Sequence, residues 1–163
     1  MKDFIRIPQK RKDILKKDKK LIDKIEGFTK TKIELNDDVS IDGESVDVFQ
    51  AKNIIKAFGR GFDLDYCFYL LEDEYGLEII NLSEFTKSKE RLKVLKGRII
   101  GTGGKTKKYI EKYADVKTSI FGKTVCIIGK WDKIYIAREA IMKLIQGCAH
   151  QTLYRWLERQ AKK

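Results

Sequence analysis

From Leu77 to Leu82 the apolar positions run with few breaks, as in a strand. Between Lys89 and Ile100 they thin to Leu92, Val94, Leu95, Ile99 and Ile100, a spacing that predicts a helix. Gly101-Thr102-Gly103-Gly104 breaks the pattern, and helical spacing resumes from Lys105 through Tyr109, Ile110 and Tyr113. Val116–Phe121 and Thr124–Ile128 are β-rich runs joined by Gly122-Lys123, which predicts a hairpin. Asp132 is then expected to cap a long helix with Ile134, Ile136, Ala137, Ala140, Ile141, Leu144 and Ile145 on one face. The order is β-α-α-β-β-α. A last helix, Gln151–Ala161, carries the stripe Leu153, Trp156 and Leu157, read as a face that docks on the fold rather than a binding site.

The first half repeats the second. Shifted by 85 residues, Ile25-Glu26 falls on Ile110-Glu111, Phe28 on Tyr113, Lys32 on Lys117 and Leu35 on Ile120. With one further residue inserted, Val39-Ser40-Ile41-Asp42-Gly43 falls on Val125-Cys126-Ile127-Ile128-Gly129. Val48 then meets Ile134, Ala51 meets Ala137, Ile55 meets Ile141, Phe58 meets Leu144 and Gly61 meets Gly147. The expected fold class is α+β: two tandem copies of one module, each a three-stranded sheet packed by helices, plus a C-terminal helix. The first module is expected over residues 1–58, opening on a strand at Phe4-Ile5-Arg6-Ile7. A linker with a short helix at Leu64–Leu71 follows over 59–75, then the second module over 76–147 and the last helix over 148–163.

Charge separates the two copies. The chain of 163 residues carries a net charge of +11. Residues 1–75 hold 15 basic and 16 acidic side chains, whereas residues 76–163 hold 20 and 8. The whole basic surplus lies in the second half, so that half is expected to face a polyanion. Lys10–Lys24 is locally basic, but Ile14, Leu15, Leu21 and Ile22 recur there at helical spacing, so those lysines read as a solvated helix face. Cys67, Cys126 and Cys148 are scattered and His150 is the single histidine. That set lacks metal-ligand spacing, so no metal and no cofactor are expected, and the thiols are expected to be reduced. No apolar run reaches eighteen residues and the first residues lack an apolar leader segment. No membrane contact and a cytoplasmic location are therefore the expectation.

The glycine segment holds the candidate chemistry. A phosphate-binding P-loop would need glycine where Ile99 stands and a strand before the loop, and the dinucleotide fingerprint fails at Thr106. Glycines at a helix–helix junction instead let a nucleic-acid backbone approach with no Cβ in the way. The free N–H groups of the following first turn favour phosphate. Lys105, Lys107 and Lys108 lie in that turn, where lysine opposes the helix dipole and gains from phosphate nearby. Ile99-Ile100-Gly101-Thr102-Gly103-Gly104-Lys105-Thr106 resembles the I-I-G-x-x-G core of a type I KH domain. That resemblance implies a groove holding about four unpaired nucleotides. The RNA-binding residues it points to are Arg98, Ile99, Ile100, Gly101, Thr102, Gly103, Gly104, Lys105, Lys107 and Lys108.

Longer runs carry a closer resemblance. Gly97-Arg98-Ile99-Ile100-Gly101, Gly122-Lys123-Thr124-Val125, residues 51–62 (AKNIIKAFGRGF) and residues 150–158 (HQTLYRWLE) are similar to the two-KH ribosome-assembly factor of archaea and eukaryotes. That family is the RNA-binding partner of the Nob endonuclease. The resemblance implies binding to single-stranded small-subunit rRNA near its immature 3′ end and assistance to the trimming nuclease. It implies no catalytic residue and no small-molecule substrate. The chain departs from the pattern at Lys16-Lys17-Asp18-Lys19, where the first copy's loop has no glycine. The first module is therefore expected to be mainly structural. Two further readings stand beside this one: a general KH protein of translation or RNA decay, and a protein–protein scaffold on KH folds.

Overall fold

A computed structural model describes residues 1–163. They form two compact units, Met1–Glu72 and Asp73–Lys163. Both are α+β, each with one three-stranded antiparallel sheet.

In the first unit β1 (Lys2–Ile5) is followed by α1 (Gln9–Lys17), α2 (Lys19–Thr29), β2 (Lys32–Leu35), β3 (Val39–Asp42), α3 (Ser45–Gly59) and the short α4 (Leu64–Cys67). The sheet order is β1-β3-β2, antiparallel throughout, with Phe4 opposite Ser40 and Ile33 opposite Ile41. The central strand β3 is buried from Val39 to Ile41, and α3 covers the sheet with Val48, Ala51, Ile54, Ile55 and Phe58. Pro8 ends the first extended stretch and starts α1, so β1 stops at Ile5 and Ile7 is buried outside the strand. The stretch after α3, read in sequence as linker, is packed. Arg11 donates from Nε to the Phe58 carbonyl and from Nη2 to the Phe62 carbonyl, both at 2.8 Å, and its guanidinium lies 4.1 Å from the Phe58 ring centre. Phe62, Leu64 and Cys67 are buried, and burial pushes the Cys67 thiol up to about 12.

The second unit runs β4 (Tyr75–Asn81), α5 (Lys89–Ile100), α6 (Lys105–Ala114), β5 (Lys117–Phe121), β6 (Thr124–Lys130), α7 (Trp131–Ile145) and α8 (His150–Ala161). Its sheet order, β4-β6-β5, repeats that of the first. Asp132 does not cap α7. Strand β6 continues to Lys130, which takes the cap position without a side-chain bond, and Asp132 lies in the first helical turn. Leu82 leaves β4 for a 3₁₀ turn that Asn81 caps by accepting from the Ser83 N–H at 3.0 Å.

The repeat extends to individual hydrogen bonds. The Glu26 carboxylate accepts from the Ile33 N–H at 2.8 Å, and the Glu111 carboxylate accepts from the Thr118 N–H at 2.8 Å. Lys30 and Asp115 end their helices in the left-handed region, with φ of 57° and 56°. A Cβ on Gly129 would lie 2.7 Å from Val116 Cγ1, a clash, whereas one on Gly43 would lie 3.2 Å from Thr31 Cγ2, a tight contact at the matching place. No helix is long and apolar enough to cross a membrane.

Candidate nucleic-acid interface

Ile99 holds the loop from below. It is 2% exposed and lies in the core with Ile110, Ile127 and Leu153, so its side chain anchors the end of α5 rather than facing out. Ile100 is half-buried. At Gly101 the chain turns out of the helix with φ 76° and ψ 169°, a region open essentially to glycine alone. A Cβ there would also lie 2.2 Å from Thr106 Oγ1 and 2.7 Å from the Thr106 nitrogen. Gly103 and Gly104 have φ of 62° and 79°. Thr102 and Gly103 are exposed, and a Cβ on Gly103 would meet nothing within 4 Å. The loop is therefore tight at its base and open at its tip.

The N-terminus of α6 follows at once, with no side chain capping it. The Gly104 N–H donates to the Gly101 carbonyl at 3.1 Å and the Lys105 N–H to the Thr102 carbonyl, so the loop folds onto the helix start, and the positive end of the helix dipole lies at the loop. The first copy closes the same place. Asp18 caps α2 by accepting from the Lys20 N–H at 3.1 Å, so a carboxylate stands at the α2 N-terminus.

The predicted basic residues differ in what they do. Lys108 is exposed with no acidic partner. The Lys105 ammonium lies 5.4 Å from the Tyr154 ring centre, and Lys107 pairs with Glu111 at 3.5 Å. Arg98 is turned back, its Nη2 donating to the Cys148 carbonyl, while His150 Nε2 lies 3.0 Å from the Arg98 carbonyl. On the other side of α6, Glu111 ties the helix to β5, which pairs only with β6 and so leaves its outer edge open. Thr118 N–H is spent on Glu111; by the alternation of an antiparallel edge, Ile120 N–H faces the same open side. A groove bounded by the loop, α6 and the β5 edge can hold a single strand, with phosphates at the loop and bases toward β5.

Sequence reasoning missed what α8 does. Leu153 and Leu157 are fully buried in the core, as the apolar stripe predicts. Beyond that docking, α8 and the turn before it fasten both flanks of the loop. His150 and the Cys148 carbonyl hold Arg98, and Tyr154 OH bonds Thr106 Oγ1 at 2.8 Å. Thr106 is 1% exposed and presses against Gly101. The signal available was weak: a hydroxyl-bearing residue two past the glycines and a tyrosine beside the apolar stripe. Tyr154→Phe keeps the ring but strands a buried hydroxyl, so it should cost about 1–3 kcal/mol of stability. Amide exchange should accelerate at Gly104 and Lys105; unchanged exchange there would show that the loop does not depend on this bond.

Known proteins share these features. Residues 76–162 match the model of the second KH domain of PNO1, described as a eukaryotic type KH-domain (KH-domain type I). The KH domain-containing protein MJ0443 of Methanocaldococcus jannaschii is 36% identical over 170 residues, covering 99% of this chain and 74% of that protein. The pre-rRNA-processing protein PNO1 of Phaeosphaeria nodorum is 34% identical over 100 residues, 60% of this chain but only 38% of that protein. Among solved structures, a chain of the a/eIF2alpha–aDim2p–rRNA complex of Pyrococcus horikoshii superposes with a TM-score of 0.90 at 37% identity. It covers 99% of this chain and 94% of that one. The chain belongs to the PNO1/Dim2 family of KH-domain proteins.

Proposed function

We propose that this chain is an RNA-binding factor of ribosome biogenesis that holds single-stranded small-subunit rRNA near its immature 3′ end. The observation that carries this reading is the N-terminus of α6, free of any side-chain cap, behind an open, glycine-rich loop, in the half of the chain that holds the whole basic surplus. Phosphates sit against the loop tip at Thr102 and Gly103, at the positive end of the α6 dipole and within reach of Lys105 and Lys108. Lys107 contributes from its pair with Glu111. Ile100 and the β5 edge face the bases. Arg98 and Ile99 act from behind by fixing the loop. The solved relative aDim2p was captured with rRNA, and PNO1 is a pre-rRNA-processing protein, which supports this class of target.

The chain binds and orients, and the cut is made by a partner, the endonuclease of small-subunit maturation. It works in the cytoplasm. The partner uses surfaces outside the second loop, so RNA and nuclease bind together; saturating RNA that expels the nuclease would contradict this. Crosslinking in cells with sequencing of the bound RNA ends tests the target. Reads should pile up at the unprocessed 3′ end of small-subunit rRNA, and reads spread over messenger RNA would favour a general KH protein instead.

The first module is mainly structural and leaves RNA largely untouched. Lys17→Ala with Asp18→Ala removes opposite charges and the cap of α2. It should cost about 1 kcal/mol of stability. RNA affinity should change by less than about threefold. A loss matching that of a variant in the second loop would overturn this division of labour.

A further inference from the structure

We infer that the face between α6 and α8 is a second phosphate-binding strip, which continues the RNA path past the glycine loop. The inference rests on the RNA reading above and extends its footprint to a side of α6 that the KH groove does not use. Lys107 and Glu111 face β5 and the groove. On the opposite face of α6, Tyr109 contacts Tyr113 at 4.8 Å and Tyr154 of α8 at 4.2 Å between ring centres. Two exposed lysines lie against this row of rings: Lys105 5.4 Å from the Tyr154 centre and Lys112 5.2 Å from the Tyr113 centre. On α8, Gln151 and Arg155 are exposed one turn apart beside Tyr154.

The chemistry of the strip selects phosphate rather than bases. Tyr154 is buried and the three ring faces are spent on one another and on the lysines, so no open platform is left for stacking. The acidic side chain at the strip, Glu158, accepts a hydrogen bond from the Tyr109 hydroxyl, and that bond holds the phenol above its usual range. The exposed cations Lys105, Lys112 and Arg155 outnumber this one carboxylate. They run from the loop along the flank of α6, where a strand leaving the loop passes next. Lys105 belongs to both surfaces and joins them.

The test is titration with two unpaired oligonucleotides of one sequence, about five and about twelve nucleotides long, since a KH groove takes about four. The wild-type chain is compared with Lys112→Ala plus Arg155→Ala, two exposed changes whose folding is checked by circular dichroism. The wild type should bind the longer strand more tightly. The double variant should bind the short strand as the wild type does and lose about tenfold on the long one. Its salt slope on the long strand should fall by about 1.4, as expected for two lost single-strand phosphate contacts. Equal binding of the long strand by both proteins would overturn the strip and leave the loop reading standing. A wild-type chain that binds neither strand would overturn the RNA reading and the strip with it.

Discussion

Thr102→Asp with Gly103→Asp should abolish RNA binding while leaving the protein folded. Both positions are exposed at the loop tip, beside the N-terminus of α6, where the proposed RNA path places phosphate. The change places two carboxylates and an added Cβ in that space. A charge-assisted hydrogen bond is worth about 1.5–3 kcal/mol, so losing two and adding repulsion costs about 3–6 kcal/mol. That is a loss of at least about a hundredfold in affinity. The fold should tolerate the change because a Cβ at Gly103 meets nothing within 4 Å, and aspartate is among the residues that accept the left-handed region. Fluorescence titration against an unpaired RNA, with a thermal melt of the same sample, measures both halves of the expectation. Retained affinity would mean that phosphate does not sit at the tip.

Gly101→Ala should damage stability and binding together. A φ of 76° with ψ of 169° strains any side-chain-bearing residue by about 1–3 kcal/mol. The new Cβ must also displace Thr106, whose backbone nitrogen lies in the first turn of α6 and whose hydroxyl is held by Tyr154. A total on the order of 3 kcal/mol lowers the melting temperature of a unit this size by roughly 10–20 °C. Gly97→Ala, one turn earlier on α5, is the matched control. Its Cβ would meet nothing within 4 Å, so alanine should stabilise the helix by about 0.4–1 kcal/mol. If both alanines behaved alike, the loop base would not be built on glycine geometry.

Periodicity carried most of the fold because each module buries one face of each element. α5 spans Lys89–Ile100, as its spacing predicts, and β6 reads clearly because six consecutive residues are buried. The internal repeat was legible because identical backbone demands recur: a glutamate that accepts from the next strand, and a glycine at 61 and 147 with φ of 101° and 98°. Boundaries were less legible where a strand runs straight into a helix, as at Lys130–Trp131. There no turn residue marks the join, and Asp132 suggested a cap it does not form. The loop itself was legible from its glycines, but the fate of each cation was not. Arg98, Lys105 and Lys107 look alike in sequence, yet one is anchored to the Cys148 carbonyl, one lies over Tyr154 and one pairs with Glu111. Those partners lie on α8 or in the turn before it, far along the chain, or one turn along α6, and no local pattern announces the tertiary ones.

Binding by a groove and binding by mere charge differ most sharply in their response to base pairing. A KH groove needs unpaired bases, whereas a basic surface is indifferent to them and favours the denser charge of a duplex. The direct measurement is a competition, at one fixed salt concentration, between an unpaired oligonucleotide and the same sequence closed into a hairpin. The account predicts that the unpaired strand displaces bound RNA at least about tenfold more effectively, a difference of about 1.4 kcal/mol. Equal displacement by the two forms, or stronger displacement by the hairpin, would contradict it.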